Sequence, residues 1–384
     1  MTVSSYARQT RPRMLPDSSR VRETRTHSEG ERGAMSTVIP VTAAHRFDEA
    51  KLIDYLRDAG LAGTDGAVSI GQFQGGQSNP TFLVTAGAKR YVLRKKPPGD
   101  LLPSAHMVER EYRVMKALGP TGFPVPTMHL LCEDTSIIGT AFYVMDFVEG
   151  RIYENPGLED ARLTPADRTA IYRSMIDTMA ALHAAAPATI GLDDFGRHGG
   201  YIERQISRWS KQFEASRTDD MPAMDALIAW LPDHIPGPDE TTVVHGDFRM
   251  GNLILHPTEP KVIAVLDWEL ATLGHPLSDL AYNCLGYHFP RENKQFNGMI
   301  GLDFAGLGIP DEDEVVAMYC AATGRDGIPD WNFYMAFNMF RISAICQGVY
   351  KRGLDGNASS ENARDYGVKA QSAAKIGWDL AQRI

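Results

Sequence analysis

The stretch that most constrains what this chain can fold into is Thr241 to Glu269, TTVVHGDFRMGNLILHPTEPKVIAVLDWE. A short apolar run, Val243-Val244, meets the polar cluster His245-Gly246-Asp247, and Asn252 follows closely. A second β-like run, Leu253 to Leu255, breaks at His256-Pro257. A third, Val262 to Leu266, ends on Asp267-Trp268-Glu269. Two apolar runs around a Pro-containing turn predict a hairpin. A hairpin brings its ends together, so Asp247, Asn252 and Asp267 can converge although the two aspartates are far apart in the chain.

Those residue types suit phosphoryl transfer. The reaction needs an oxygen acceptor to orient a hydroxyl and a cation to neutralise nucleotide phosphates. Mg²⁺ prefers hard oxygen ligands, and Asn252, Asp267 and Glu269 supply them. A polar loop between core strands would also use Asp and Asn for its turns, but here spacing, residue types and flanking strands agree. The pattern His245-Gly246-Asp247-x4-Asn252, followed by Asp267-x-Glu269, resembles the signature of the aminoglycoside phosphotransferase and choline kinase group. The resemblance covers residues 45 to 384. It implies an α+β, bilobal, protein-kinase-like fold: a small antiparallel-sheet lobe over residues 45–147 and a large, mainly helical lobe over 148–384. It also implies ATP and Mg²⁺ as cofactors, Asp247 as the catalytic group that orients and deprotonates a hydroxyl, and Asn252 and Asp267 as metal ligands. Glu269 would assist the metal through water or contact substrate. Asp279 would brace the catalytic loop as a buried acid, and His245 would be scaffold rather than base.

Composition narrows the partners. A net charge of −9 gives no global basic signal for nucleic acid or an anionic membrane. No apolar run approaches the ~18 residues of a spanning helix. Cys132, Cys284, Cys320 and Cys346 are scattered and read as reduced, packed thiols of a cytoplasmic protein. Residues 1–44 are rich in Arg, Ser and Thr, lack apolar periodicity, and are expected to be disordered. Asp17, Glu23, Glu29 and Glu31 argue against a transit peptide. Met35, just before Ser-Thr-Val-Ile-Pro, is read as an alternative translation start.

Phe47 to Ala59 has a helical pattern closed by Gly60. Val68 to Leu83 reads strand, loop, strand. The loop Gln74-Gly75-Gly76-Gln77-Ser78-Asn79 allows backbone N–H groups to approach phosphate, although a plain hairpin turn would look similar. The resemblance places the phosphate loop there, with Gly75, Gly76, Gln77, Ser78 and Asn79 at the cofactor. In the next strand, Arg90 to Lys96, the family normally has Lys where Arg94 stands. Arg94 can grip phosphate bidentately, and Lys96 could take the role instead. Met107 to Leu118 is helical, and Glu111 matches the acidic partner of the strand's basic residue. Ile137 to Glu149 is expected to form two strands joined at Gly139-Thr140. By resemblance its end is the hinge, where the backbone of Asp146 and Val148 would pair with adenine and Met145 would line the pocket.

Thr164-Pro165-Ala166-Asp167 signals a helix start. Ile171, Met175, Met179 and Leu182 mark its apolar face, with His183 packed at its end. Further helices are expected over 204–213, 221–231, 312–323, 331–352 and 366–384. His275 sits in a loop and could contact substrate.

The acceptor is a small-molecule hydroxyl compound. An aminoglycoside site should be rich in carboxylates. The segment from residue 285 onward, which forms much of the acceptor side in this family, has its acids matched by bases including Arg291, Lys294, Arg341, Lys351 and Arg352. The phrases Tyr-Val-Leu-Arg-Lys-Lys-Pro-Pro-Gly and Leu-Asp-Trp-Glu-Leu-Ala-Thr-Leu-Gly-His-Pro resemble a sub-branch fused to, or encoded beside, acyl-CoA dehydrogenases. That implies a functional link to such an enzyme and a hydroxyacyl-CoA acceptor, whose phosphates would suit the tail's bases. An antibiotic kinase and a non-catalytic nucleotide-binding protein are the alternatives.

Overall fold

The structure, a computed structural model, describes residues 37–74, 79–97, 106–293, 296–356 and 362–384. It begins with a six-stranded antiparallel sheet. Its strands are β1 (Val38–Ile39), β2 (Val68–Phe73), β3 (Thr81–Ala86), β4 (Lys89–Lys95), β5 (Met128–Cys132) and β6 (Phe142–Asp146), in the order β1-β2-β3-β4-β6-β5. Helix α1 (Glu49–Asp58) is capped by Asp48, whose side chain accepts from Lys51 N. Side chains alternate across a strand, and β6 shows the consequence. Phe142 and Val144 face the α1 side with Leu52, Leu56 and Phe82. Tyr143 and Met145 face the main core with Val114 and Leu118 of α2 (Val108–Leu118).

The remaining helices are α3 (Thr135–Ile138), α4 (Pro165–Ala184), α5 (Tyr201–Ser216), α6 (Pro222–Trp230), α7 (Pro276–Asn283), α8 (Phe304–Leu307), α9 (Glu312–Thr323), α10 (Trp331–Leu354) and α11 (Tyr366–Ala381). The Thr164/Asp167 capping box starts α4 as its sequence predicts, and Asp311/Glu314 form another at α9. Two small antiparallel pairs lie among the helices: β7 (Thr242–Val244) with β10 (Thr272–Gly274), and the hairpin β8 (Leu253–Leu255) with β9 (Val262–Val265). The four cysteines are buried and free. Among the described residues no helix is long and apolar enough to cross a membrane.

Three details differ from expectation. Within residues 37–44, read as part of a disordered extension, Val38 and Ile39 pair with Phe73 and Gln72, and Thr42 N donates to Gln72 Oε1 (3.0 Å). Two residues are too short a run for periodicity to register. Ile137 is helical, not a strand residue: Asp134 caps the one-turn α3 by accepting from Ser136 N, and Gly139 closes it at φ +85°. The partner that β6 was expected to find there is instead β5. Lys96 lies past the end of β4, where its Nζ pairs with Glu109 Oε1 at 2.8 Å.

Candidate active site

The loop after β7 is held from beneath. Asp279, buried at the start of α7, accepts from His245 N (2.6 Å) through Oδ2 and from Gly246 N (2.8 Å) through Oδ1. Burial pushes its carboxyl up, but the hydrogen bond and charge of His183, then His245, outweigh that and leave it below the usual aspartate value. Gly246 takes φ +84°, and a β-carbon there would come within 2.9 Å of Leu270 O, so both conformation and space require glycine. Arg341, buried on α10, donates from Nη2 to Gly246 O (3.1 Å). His245 accepts from Asp247 N through Nδ1 (3.2 Å) and donates from Nε2 to Leu266 O (2.9 Å). The imidazole thus ties the catalytic loop to the end of β9, and both nitrogens are used in doing so.

Asn252 donates from Nδ2 to both Asp247 O and Asp247 Oδ2, each at 2.8 Å. Its backbone carbonyl accepts from Leu266 N at 2.8 Å. These bonds bring Asp247, Asn252 and the segment entering Asp267 together. Because the Asn252 amide nitrogen faces Asp247, its oxygen points the other way. Asp267 adopts φ +66°, the left-handed region that Asp tolerates better than most residues. Its Oδ1 meets Arg94 Nη2 at 2.8 Å. Arg94 also contacts Glu111 Oε2 (Nε, 3.0 Å) and stands 3.8 Å from Glu269 Oε2. Burial pushes the Glu111 carboxyl up to about 7 against the pull of Arg94.

Asp267 on the wall of the cleft and Asn252 beside Asp247 are hard-oxygen donors, and no cluster of three His, Cys, Asp or Glu side chains among the described residues would hold a metal alone. That set fits Mg²⁺, which keeps water and substrate phosphates among its ligands.

Two cavities meet here. One, of ≈ 380 Å³, lies under the sheet and is lined by Phe73, Val92, Arg94, Met145, Asp146, Val148, Ile254, Leu266 and Asp267. Asp146 N is already bonded to Thr127 O (2.9 Å) and its carboxylate to His129 (2.7 Å). The other, of ≈ 460 Å³, is lined by Tyr172, Met175, Asp247, Arg249, Tyr282, Asn283, Tyr287, Phe296 and Met299. Glu154 lines both. Asp247 Oδ1 is buried with no hydrogen-bond partner among the described residues. The Tyr282 phenol is held well above its usual value by burial and then by the Asp247 carboxylate.

Several residues singled out in the sequence lie outside the described residues or away from the two cavities. Gly75, Gly76, Gln77 and Ser78 lie outside the described residues. Asn79 is turned inward: buried, it donates to Glu111 Oε1 (2.7 Å). His275 is buried and caps α7, away from both cavities. Three of the tail's bases are engaged, Arg291 with Glu159, Arg341 with Gly246 O, and Lys351 with Asp355, while Lys294 lies outside the described residues. Sequence reasoning missed Glu154, Arg249, Tyr282 and the bracing role of Arg341. For Arg341 a signal existed, a guanidinium inside the apolar run of α10.

Comparison with known proteins agrees with this geometry. The profile described as "Phosphotransferase enzyme family" matches residues 69–334. The chain is 48% identical to mouse (Mus musculus) acyl-CoA dehydrogenase family member 10 over 346 residues, covering 90% of this chain and 32% of that protein. It is 44% identical to human (Homo sapiens) acyl-CoA dehydrogenase family member 11 over 353 residues, covering 91% and 45% respectively. It thus spans less than half the length of these relatives. Among solved structures, a Ralstonia eutropha protein provisionally described as an aminoglycoside phosphotransferase superposes with a TM-score of 0.80 at 49% identity, covering 88% of this chain and 99% of that one. Spectinomycin phosphotransferase, solved with ADP and spectinomycin, shares the fold with a TM-score of 0.57 at 14% identity, covering 87% and 98%. The chain belongs to the phosphotransferase enzyme family and has the bilobal, kinase-like fold of these structures.

Proposed function

We propose that the chain transfers the terminal phosphoryl group of ATP to a hydroxyl of a small molecule, with Asp247 as the group that accepts the hydroxyl's proton. The observation that carries this reading is the Asp247 side chain, 19% exposed and in the wall of the ≈ 460 Å³ cavity. A substrate hydroxyl in that cavity would donate to this carboxylate, which is placed to take its proton. Asn252, bonded to the other oxygen, fixes the carboxylate's orientation. The ≈ 380 Å³ cavity suits the nucleotide, with Met145 against the base and the Asp146 carbonyl and Val148 backbone at its edge. Arg94 faces the phosphates from β4. Asn252 and Asp267 would hold Mg²⁺, which neutralises phosphate charge when bound, and Glu269 stands beside them.

The acceptor we infer is a hydroxyacyl-CoA. The acceptor cavity sets Tyr172, Tyr282, Tyr287, Phe296 and Met299 beside Arg249, Asn283 and Asn297, and among the described residues its carboxylates are Asp247 and Glu154. A polycationic aminoglycoside would find little countercharge there, whereas an acyl chain would bury apolar surface. The names of the relatives point the same way and support a functional link to an acyl-CoA dehydrogenase. Arg291, Arg341 and Lys351 are already paired, which leaves Lys294 and Arg352 as the tail bases for the CoA phosphates. Purified protein should consume ATP with a 3- or 4-hydroxyacyl-CoA, far less with the free hydroxy acid, and GTP should be run in parallel. Robust phosphorylation of kanamycin-type compounds with none of hydroxyacyl-CoAs would reverse the choice of acceptor.

A further inference from the structure

We propose that Arg249 is a catalytic residue whose guanidinium leaves Glu154 to hold the phosphoryl group as it crosses from one cavity to the other. The proposal rests on the phosphotransfer reading above. Arg249 lines the acceptor cavity, and its Nη1 lies 3.4 Å from Glu154 Oε2. Glu154 borders both cavities, so the guanidinium stands at their junction. Its Nε is 3.5 Å from Asp247 Oδ2, which places the positive charge beside the carboxylate that would take the hydroxyl's proton.

The hold on Arg249 is loose. Charge-assisted N–H···O bonds are normally about 2.7–2.9 Å, and Arg94 meets Asp267 at 2.8 Å. Both Arg249 contacts are longer, and its side chain is about a third exposed (36%). A cation flanked by two carboxylates at long range can exchange one of them for a phosphoryl oxygen at little cost. Gly251 makes the room: a β-carbon there would collide with Arg249 Nη1 and lie 2.7 Å from Glu154 Oε2.

In the step itself the acceptor oxygen bonds to the terminal phosphorus. The bond from that phosphorus to the bridging oxygen breaks, and its electron pair leaves with the nucleoside diphosphate. The hydroxyl proton passes to the Asp247 carboxylate. Arg249 stays protonated and spreads its donors over the equatorial oxygens, where charge is carried in transit.

The test measures ADP affinity with Mg²⁺, with and without aluminium fluoride as the phosphoryl mimic, alongside steady-state kinetics. Wild type, Arg249→Gln, Arg249→Lys and Gly251→Ala are compared in the full chain. Wild type should bind ADP more tightly with the fluoride. Arg249→Gln should lose that gain, keep ADP affinity, and lower kcat about 10²–10³-fold, as for a lost transition-state donor. Arg249→Lys should recover part of both. Gly251→Ala, which crowds the guanidinium but leaves every charge in place, should lower kcat less. An unchanged fluoride effect in Arg249→Gln overturns the assignment alone, as does a rise confined to acceptor KM. No fluoride effect in wild type overturns the phosphotransfer reading and this proposal with it.

Discussion

Arg94 Nη2 lies 2.8 Å from Asp267 Oδ1, joining β4 of the sheet to the segment after β9 across 173 positions of sequence. The same side chain reaches Glu111 on α2. One guanidinium therefore links three elements, at a position where this family's pattern has lysine. Lysine carries a compact charge on a flexible stem and would serve fewer of these carboxylates at once.

Removing Arg94 should cost stability as well as nucleotide. Glu111 is 1% exposed, so Arg94→Ala leaves a buried carboxyl without its cation. A loss of about 3–5 kcal/mol is expected by urea denaturation. Arg94→Ala in an Glu111→Gln background should cost much less. Equal costs in the two backgrounds would mean the pair is not coupled.

Asp247→Asn should keep the fold and ADP affinity while turnover falls about 10²–10⁴-fold, the usual range for a lost acid–base group. Turnover equal to wild type with any verified acceptor would take Asp247 out of the chemistry.

Asp267→Ala should abolish the Mg²⁺ dependence of ATP binding, read by titration calorimetry with and without the metal. The side chain is 33% exposed in the cleft, so the melting temperature should change little. If the variant binds ATP with the same metal dependence as wild type, Asp267 is no ligand.

Asp279 should set part of the acid limit of stability. Its carboxyl is depressed in the folded chain, so it contributes stability above the unfolded value of 3.8, and that contribution is lost as pH falls through the folded value. Asp279→Asn should flatten this acid loss. At neutral pH it should cost about 2–4 kcal/mol, since an amide nitrogen cannot accept from His245 N or Gly246 N. A variant as acid-sensitive as wild type would assign the loss to other groups.

The parts legible in sequence were those whose signal is local. The hairpin of β8 and β9, the helix start at Thr164 and the convergence of Asp247 with Asn252 follow from short-range pattern. Asp279 was legible through family resemblance. The acceptor cavity was not legible, because Glu154, Arg249, Tyr282 and Phe296 come from separate segments and meet only through packing. At α3, Ile137-Ile138 favours strand locally, but Asp134 and Gly139 close a turn around it. The β7–β10 pairing is equally non-local, since no turn joins the two strands.

Beyond the end of β6, Arg151 and Leu255 exchange both backbone hydrogen bonds at 2.8 Å, and a β-carbon on Gly150 would collide with Leu255 O and Ile254. The chain leaving the sheet is thus pressed, backbone to backbone, against the strand that follows the loop carrying Asp247. A chimera that takes its sheet from one relative and its helices from another would carry a seam through this contact. Such an exchange would have to move residues 150–151 and 254–255 together, because neither side has room to adapt to a different neighbour.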